Sequence, residues 1–283
     1  MKRQKSFLND RPTLYLVATP IGNLQEMNQR AIDVLTKVDV IACEDTRHTG
    51  ELLAHFGIHN RVVAHHLYNE KTSSEGILKL LAEGKNVALV SDAGWPLISD
   101  PGALLVRRAI DEQYNVVAVN GPSACLTALV ASGLKPQPFT FIGFLSASDK
   151  EAQRQLESYS QYPDTLIFYE APHRIQRTLE LMRQVMGDRP ICLGRELTKY
   201  YEEYIRGTIS EVLSVAEECK GEMVIVMQGA PKPTVAIEEL NVNEIVEQYM
   251  AQGMSASQAV RQAAADYGLS KNDVYKRYLQ YHN

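Results

Sequence analysis

The sequence predicts an α/β protein with a mainly parallel N-terminal sheet, a second α/β domain and a small helical C-terminal appendage. Three observations lead there. Short apolar runs alternate with segments of helical periodicity through residues 13–131, and strands alternating with helices imply parallel pairing. The stretch Gly133-Leu134-Lys135-Pro136-Gln137-Pro138 then interrupts two such periodic regions, as linkers do. Beyond residue 241 the strand signals stop. The expected domains are 11–133, 134–232 and 240–283.

Residues 13–18, an apolar run between Pro12 and Pro20, read as a buried strand. Met27, Ala31, Ile32, Leu35 and Val38 recur at helical spacing, and 38–43 is again a strand, which makes a βαβ opening. A helix closes over 52–56 and ends at Gly57, and 62–64 is a strand. Thr72-x-x-Glu75 reads as a capping box for the helix holding Ile77, Leu78 and Leu81. The strand 87–90, a helix over 101–113, the strand 116–119 and a helix from about Pro122 complete the first half. In the second half, strands at 139–144, 165–169, 191–194 and 223–227 alternate with helices around 150–160, 172–186 and 208–220. Ser255-x-x-Gln258 and Ser270-x-x-Asp273 cap two short helices around Gly268. That pair has the outline of a helix-turn-helix, although such hairpins commonly just pack.

Composition excludes more than it identifies. With 45% hydrophobic and 22% charged residues over 283 positions, the chain has the balance of an ordinary soluble globular protein. A net charge of −5 argues against gripping nucleic acid through an overall positive field and leaves room for local basic patches. Cys43, Cys125, Cys192 and Cys219 are widely spaced with no C-x-x-C pair, so neither zinc nor a disulfide framework is expected. Residues 1–10 carry Lys2, Arg3 and Lys5 but no apolar core, which reads as a loose tail rather than a secretory signal. With no stretch near the ~20 apolar residues of a membrane span, the cytoplasm is the expected compartment.

Four loops share one design, a buried strand followed at once by a proline-containing turn: Thr19-Pro20-Ile21-Gly22-Asn23, Ser91-Asp92-Ala93-Gly94-Trp95-Pro96, Gly121-Pro122-Ser123-Ala124 and Tyr169-Glu170-Ala171-Pro172-His173-Arg174. In an open α/β sheet such loops converge at the carboxyl edge of the strands, where ligands bind. Pro101, Pro122 and Pro172 fit the first position of a helix, which would make Asp100 an N-cap. No G-x-G-x-x-G, phosphate-cradling G-x-x-x-x-G-K-[ST] or H-E-x-x-H pattern occurs, which removes the usual support for hydride transfer, nucleotide hydrolysis and metalloprotease chemistry. His65 and His66 are adjacent and would point to opposite faces of a strand. No metal is expected.

Read together, Leu14 to Leu24 (LYLVATPIGNL), Cys43-Glu44-Asp45-Thr46-Arg47, Ser91-Asp92-Ala93-Gly94, the run PLISDPG from Pro96 to Gly102, Gly121-Pro122-Ser123-Ala124, Phe141-Ile142-Gly143-Phe144-Leu145, Tyr169 to Arg174 (YEAPHR) and Arg195-Glu196-Leu197-Thr198-Lys199 resemble the ribosomal RNA small subunit methyltransferase I family. These are 2′-O-methyltransferases of the tetrapyrrole methylase superfamily. The resemblance covers roughly residues 14–228. It implies a two-lobed tetrapyrrole methylase-like fold, S-adenosylmethionine in the cleft, a homodimer, and methyl transfer to a cytidine 2′-hydroxyl in the decoding region of small-subunit (16S) ribosomal RNA, with the assembled 30S subunit as partner. Trp95 stands where the family has a small threonine, and Ser146 where a proline often follows.

Carried onto this chain, the resemblance implies cofactor contacts from Pro20, Ile21, Asp92, Ala93, Gly94, Ile98, Ser123, Ala124, Tyr169 and Met223. Small residues leave backbone donors and acceptors open to such a ligand. Methyl transfer is an in-line displacement that depends first on alignment, and a ribose hydroxyl also needs somewhere to leave its proton. Asp100, Glu196 and Lys199 are the candidates, the alternatives being an N-cap for Asp100 and a structural salt bridge for Glu196 and Lys199. Arg47, His173, Arg174 and Arg195 are candidate substrate contacts. With His48, Arg177 and Lys199 they would form a basic rim for phosphates, extended by Lys271, Lys276 and Arg277. Glu44, Asp45 and Arg47 fit substrate binding or a helix start equally. The run 199–204, with Tyr200 and Tyr201, fits base stacking or a half-buried strand face. Two other functions stay open: methylation of a tetrapyrrole or protein on the same fold, and a non-catalytic RNA-binding assembly factor.

Overall fold

A computed structural model describes residues 1–231 and 241–282. The chain forms two compact units, one of Met1–Tyr159 with Thr165–Gln228, the other of Ser160–Asp164 with Gly229–Asn283. The expected boundaries at 232 and 240 lie outside the described residues.

The larger unit holds both sheets. In chain order the first half runs β1 (Thr13–Val17), α1 (Gln29–Lys37), β2 (Val40–Cys43), α2 (Thr46–His55), β3 (Val62–Ala64), α3 (Glu70–Ala82), β4 (Val87–Val90), α4 (Ala103–Asp111), β5 (Asn115–Val119) and α5 (Ala124–Ala131). Its strands are all parallel, in the order β3-β2-β4-β1-β5. β2 and β4 are buried at every position, as expected of parallel strands covered on both faces. Ile41 and Cys43, with Ala88 and Val90, face Ala31 and Leu35 of α1 and Leu53 of α2. The alternate residues Ala42, Val87 and Leu89 face Ile77, Leu78 and Leu81 of α3 and Leu105 and Ala109 of α4. From β1 the chain moves to β2 on one side, and from β4 it crosses to β5 on the other. The strand order therefore reverses at the β1/β4 pair, the place where open sheets bind ligands.

The second half contains β6 (Phe139–Phe144), α6 (Asp149–Tyr159), β7 (Thr165–Glu170), α7 (Ile175–Met186), β8 (Pro190–Arg195), β9 (Glu203–Thr208), α8 (Ile209–Leu213) and β10 (Met223–Met227). This sheet is mixed, in the order β6-β7-β10-β8-β9 with only β6 and β7 parallel. Leu166, Phe168, Leu193 and Ile225 pack on α6, α7 and α8 through Leu156, Leu179, Met182 and Val212. Ile167, Cys192, Val224 and Val226 pack on Cys125, Ala128 and Leu129 of α5. The last helix of the first half thus covers the open face of the second sheet.

Several local expectations change. None of the three prolines opens a helix: Gly102, Ser123 and Arg174 are the N-caps of α4, α5 and α7. Asp100 is consequently not a cap, and its carboxyl is left to the site. Ser123, in extended conformation, accepts from the Leu126 N–H, a bond that Pro122 cannot make. α3 starts at Glu70, so Thr72 and Glu75 lie inside it. The reciprocal cap falls one turn earlier, where the Asn69 side chain accepts from the His66 N–H at 2.8 Å. The 208–220 helix is only α8 and a 3₁₀ turn at Ala216–Glu218. β9 was absent from the expected strands. The four cysteines are free and buried.

The first ten residues are not a loose tail. Gln4 donates to the Val116 carbonyl at 2.9 Å and accepts from its N–H at 3.0 Å, while Lys2 pairs with Asp111 at 2.7 Å. Asn115 donates to the Arg11 carbonyl and the Asn9 side chain at 3.0 and 2.9 Å. β5 is an edge strand, and the segment satisfies backbone groups that would otherwise invite intermolecular pairing.

In the smaller unit α9 (Val242–Ala251), α10 (Ala256–Asp266) and α11 (Lys271–His282) enclose Val246, Ala259, Val260, Ala263 and Val274. Gln258 accepts from the Ser255 N–H at 2.9 Å, which realises the first of the two expected capping boxes. No helix among the described residues is long and apolar enough to cross a membrane. A chain lacking residues 2–9 should lose about 1–3 kcal/mol of unfolding free energy, the sum of a few half-exposed hydrogen bonds. It should also scatter light at a lower temperature; urea titration and thermal scattering measure the two effects.

Candidate functional site

The loops that follow β1 and β4 are stitched together before any ligand is considered. Thr19 N–H donates to the Gly94 carbonyl at 2.9 Å, and Gly94 N–H to the Thr19 carbonyl at 3.1 Å. The buried Thr19 hydroxyl donates to Ser91 O at 3.0 Å, and the Ser91 hydroxyl to Gly94 O, also at 3.0 Å. Both hydroxyls are thereby consumed, which explains why these small polar residues can be buried. Gly94 has φ +76°, a conformation glycine adopts without strain.

Beside this stitch opens a cleft of about 430 Å³, within the size range of small-molecule sites. All four proline-containing loops contribute to it: Ile21 from the first, Asp92 to Trp95 from the second, Ser123 and Ala124 from the third, and Tyr169 to Pro172 from the fourth. Ile98, Ser99 and Asp100 extend the second loop, Phe144 comes from the end of β6, and Glu196, Leu197 and Lys199 from the β8–β9 turn. Glu222, Met223 and Val224 belong to the start of β10. Because β10 is antiparallel to β7, with Val224 opposite Tyr169, its beginning lies at the same edge as the ends of the parallel strands. Of the expected cofactor residues, nine line the cleft (Ile21, Asp92, Ala93, Gly94, Ile98, Ser123, Ala124, Tyr169 and Met223) and Pro20, which is buried, does not. All three expected catalytic residues, Asp100, Glu196 and Lys199, line it.

The backbone around the cleft is unusual. Leu97 and Ser99 on one side, and Glu196 and Thr198 on the other, all have positive φ, between 49° and 73°. Such non-glycine outliers are costly and cluster at functional sites. At Gly22, on the first loop, a Cβ would stand 2.6 Å from Lys199 Cγ and 2.8 Å from its Cε. Only glycine leaves room for the lysine stem to lie across the first loop. The Lys199 ammonium then reaches Glu196 at 3.0 Å.

Electrostatically the cleft is acidic. Glu44, Asp92, Asp100, Glu170, Glu196 and Glu222 line it, and Lys199 is the only lysine or arginine that does so among the described residues. Burial, then the charges of Glu44 and Asp92 and a hydrogen bond with the Glu44 carboxyl, push the Asp100 pKa up to about 6. Tyr169 is pushed up to about 12, chiefly by burial, and its oxygen accepts from the Cys125 N–H at 3.2 Å. That bond ties the second sheet to the first turn of α5. Phe141 and Phe144 meet the Tyr169 ring edge-on at 4.9 and 5.6 Å, an arrangement aromatic rings favour.

None of the candidate substrate residues lines the cleft. The Arg174 side chain, only 19% exposed, pairs with Glu170 at 3.4 Å and donates to the carbonyls of Leu145 and Ser146. Glu170 itself accepts from Thr178 and the Ala171 N–H, so this network holds the β7–α7 turn to the loop after β6. Arg195 pairs with Glu203 at 2.5 Å and Arg177 with Asp149. Four members of the basic rim read from the sequence, Arg174, Arg177, Arg195 and Lys199, are thus paired with carboxylates close in space. Arg47 and His173 are exposed. Asp45 is the N-cap of α2, accepting from the N–H groups of Arg47 and His48, which hold its carboxyl below the usual range; of this cluster only Glu44 reaches the cleft. His65 bonds Ser73 at 2.7 Å, and among the described residues no cluster could hold a metal.

Sequence reading missed Ser99, Phe144, Leu197, Glu222 and Val224. A glutamate directly before a buried strand was the available signal for Glu222; the others depend on strand pairing.

Comparison with known proteins agrees with this architecture. A family model described as Tetrapyrrole (Corrin/Porphyrin) Methylases matches residues 13–213, and one described as the RsmI C-terminal HTH domain matches 244–281. The ribosomal RNA small subunit methyltransferase I of Bacillus subtilis (strain 168) is 47% identical over 98% of this chain and 98% of its own length. The protein of the same name from Halalkalibacterium halodurans is 44% identical over 99% of this chain and 100% of its own. Among solved structures, a diphthine synthase superposes with a TM-score of 0.59 at 13% identity, covering 78% of this chain and 90% of that one, a likeness of fold alone. The chain belongs to the tetrapyrrole methylase family and, within it, to the group of ribosomal RNA small subunit methyltransferase I proteins.

Proposed function

We propose that this chain transfers a methyl group from S-adenosylmethionine to a ribose 2′-hydroxyl of a cytidine in the decoding region of small-subunit ribosomal RNA. The observation that carries the reading is an acidic cleft at the strand-order reversal, lined by six acidic residues with a single lysine among the described residues. Such a lining favours a cation and repels phosphate. The sulfonium donor carries net positive charge, so the donor set fits it. The names of the near full-length relatives support ribosomal RNA of the small subunit as the acceptor.

When bound, S-adenosylmethionine supplies an electrophilic methyl group. Ala93, Gly94 and Ala124 leave backbone groups open to the donor, while Ile21, Ile98 and Met223 provide apolar walls. Asp100, crowded by the Glu44 and Asp92 carboxylates, is the group we assign to accept the hydroxyl proton as the oxygen is methylated. A carboxylate whose proton affinity is raised by burial is better matched to that task near neutral pH. Lys199, held by Glu196, orients the acceptor.

Purified protein should bind S-adenosylmethionine calorimetrically and methylate small subunits taken from cells that lack it. Mapping the product to any group other than one ribose hydroxyl would overturn the reading. The sign of the pH dependence follows from Asp100. Its pKa is raised to about 6, so the basic form required for proton acceptance is lost as pH falls through 6. We expect kcat/KM to fall about tenfold per pH unit below that point. Asp100→Asn should reduce the plateau by about 10²-fold or more and flatten the acid limb. The same shift makes Asp100 favour the folded state most at low pH, with that contribution lost as pH rises through 6.

Gly94→Val places a β-branched residue at φ +76° and against Ile21, whose Cγ2 lies 3.4 Å from the new Cβ. With about 1–2 kcal/mol of backbone strain at this turn, donor affinity should fall about tenfold or more. Unchanged affinity in a titration would remove this loop from the donor site.

A further inference from the structure

Tyr200 and Tyr201 are not on a strand face. They occupy the turn between β8 and β9, 94% and 72% exposed, with their rings edge to face at 5.1 Å. The turn that displays them is firmly built. Thr198 N–H donates to the Glu202 carboxylate at 2.7 Å and Glu202 N–H to the Lys199 carbonyl at 3.1 Å. Arg195 and Glu203 close its base. Two left-handed residues, Glu196 and Thr198, shape its first half. Exposing two large rings on an ordered turn discards favourable burial unless something covers them.

Their position restricts what that is. Lys199, the residue before Tyr200, lines the cleft and lies across Gly22, so with successive Cα atoms about 3.8 Å apart the two tyrosines stand within a few residues' reach of the cleft. The cations of the same turn, Arg195 and Lys199, are already paired with Glu203 and Glu196, so it offers a phosphate little and an RNA base two exposed ring faces. Aromatic side chains stack unpaired bases with little regard to sequence.

We propose that Tyr200 and Tyr201 form a stacking platform for an unpaired base of the RNA next to the nucleotide that enters the cleft, an inference that rests on the RNA-methylating function proposed above. The platform splays the strand so that the target ribose can enter while its phosphates stay outside the acidic lining.

The test is steady-state methyl transfer to unmethylated small ribosomal subunits by Tyr200→Ala, Tyr201→Ala and the double variant, with calorimetric binding of S-adenosylmethionine alongside. The double variant should raise KM for the subunit about tenfold or more, exceeding any change in kcat, with donor affinity within twofold of wild type. Tyr→Phe at both positions should retain near-wild-type KM, whereas Tyr→Leu should not. An unchanged KM in the double alanine variant overturns the platform while leaving the methyltransferase function intact. So does rescue by leucine equal to that by phenylalanine, which would indicate an apolar contact with protein instead of stacking. If the wild-type chain transfers no methyl group to the subunits, the underlying function fails and the platform falls with it.

Discussion

The burial of α5 under the second sheet is the interaction on which the rest of the structure depends. Cys125, Ala128 and Leu129 pack on Ile167, Cys192, Val224 and Val226, so the final helix of the parallel half also serves as a covering layer for the mixed half. Without that layer the second sheet would present an apolar face to water. With it, the turn at Ser123 and Ala124, which begins α5, is held beside Tyr169 through the bond from Cys125 N–H. The two halves thereby bring their loop edges together, and the cleft is a consequence of helix packing before it is a consequence of any ligand.

Charge is then arranged in two layers. Inside, carboxylates outnumber cations, and crowding of Asp100 by Glu44 and Asp92 raises its proton affinity. Around it, Arg174, Arg177 and Arg195 face carboxylates of their own, which limits what remains for phosphate. A chain with net charge −5 that engages RNA under these conditions has to do so through local features, and exposed aromatic faces next to the cleft meet that requirement without adding positive charge.

Much of the outline was readable because parallel strands buried on both faces are continuous apolar runs, and VIAC and VALV could hardly be anything else. The four proline-containing loops were readable as a set for a related reason: a buried strand must end in a turn, and those turns share one edge. Helix starts were less readable. Proline at N1 is a local preference, while at Pro101, Pro122 and Pro172 the competing caps Gly102, Ser123 and Arg174 prevail, one by backbone freedom, one by a side-chain bond and one through the network around Glu170. The amino-terminal segment looked loose because the contacts that pin it to the sheet are with residues about a hundred positions away.

Taken alone, the sequence determined the α/β alternation, the candidate loops and, through the order of its motifs, the family. Those are properties of short stretches, set by burial pattern and turn chemistry within a few residues. Only the tertiary structure decided that the second sheet is mixed, which carries Glu222 and Met223 to the ligand edge, and that the Lys199 stem lies against Gly22. It also decided that Asp100 lies beside Glu44 instead of capping a helix, and that Arg174, Arg177, Arg195 and Lys199 of the apparent basic rim are already paired. Pairing between distant strands and the charges that meet there depend on through-space distance, which no local pattern encodes.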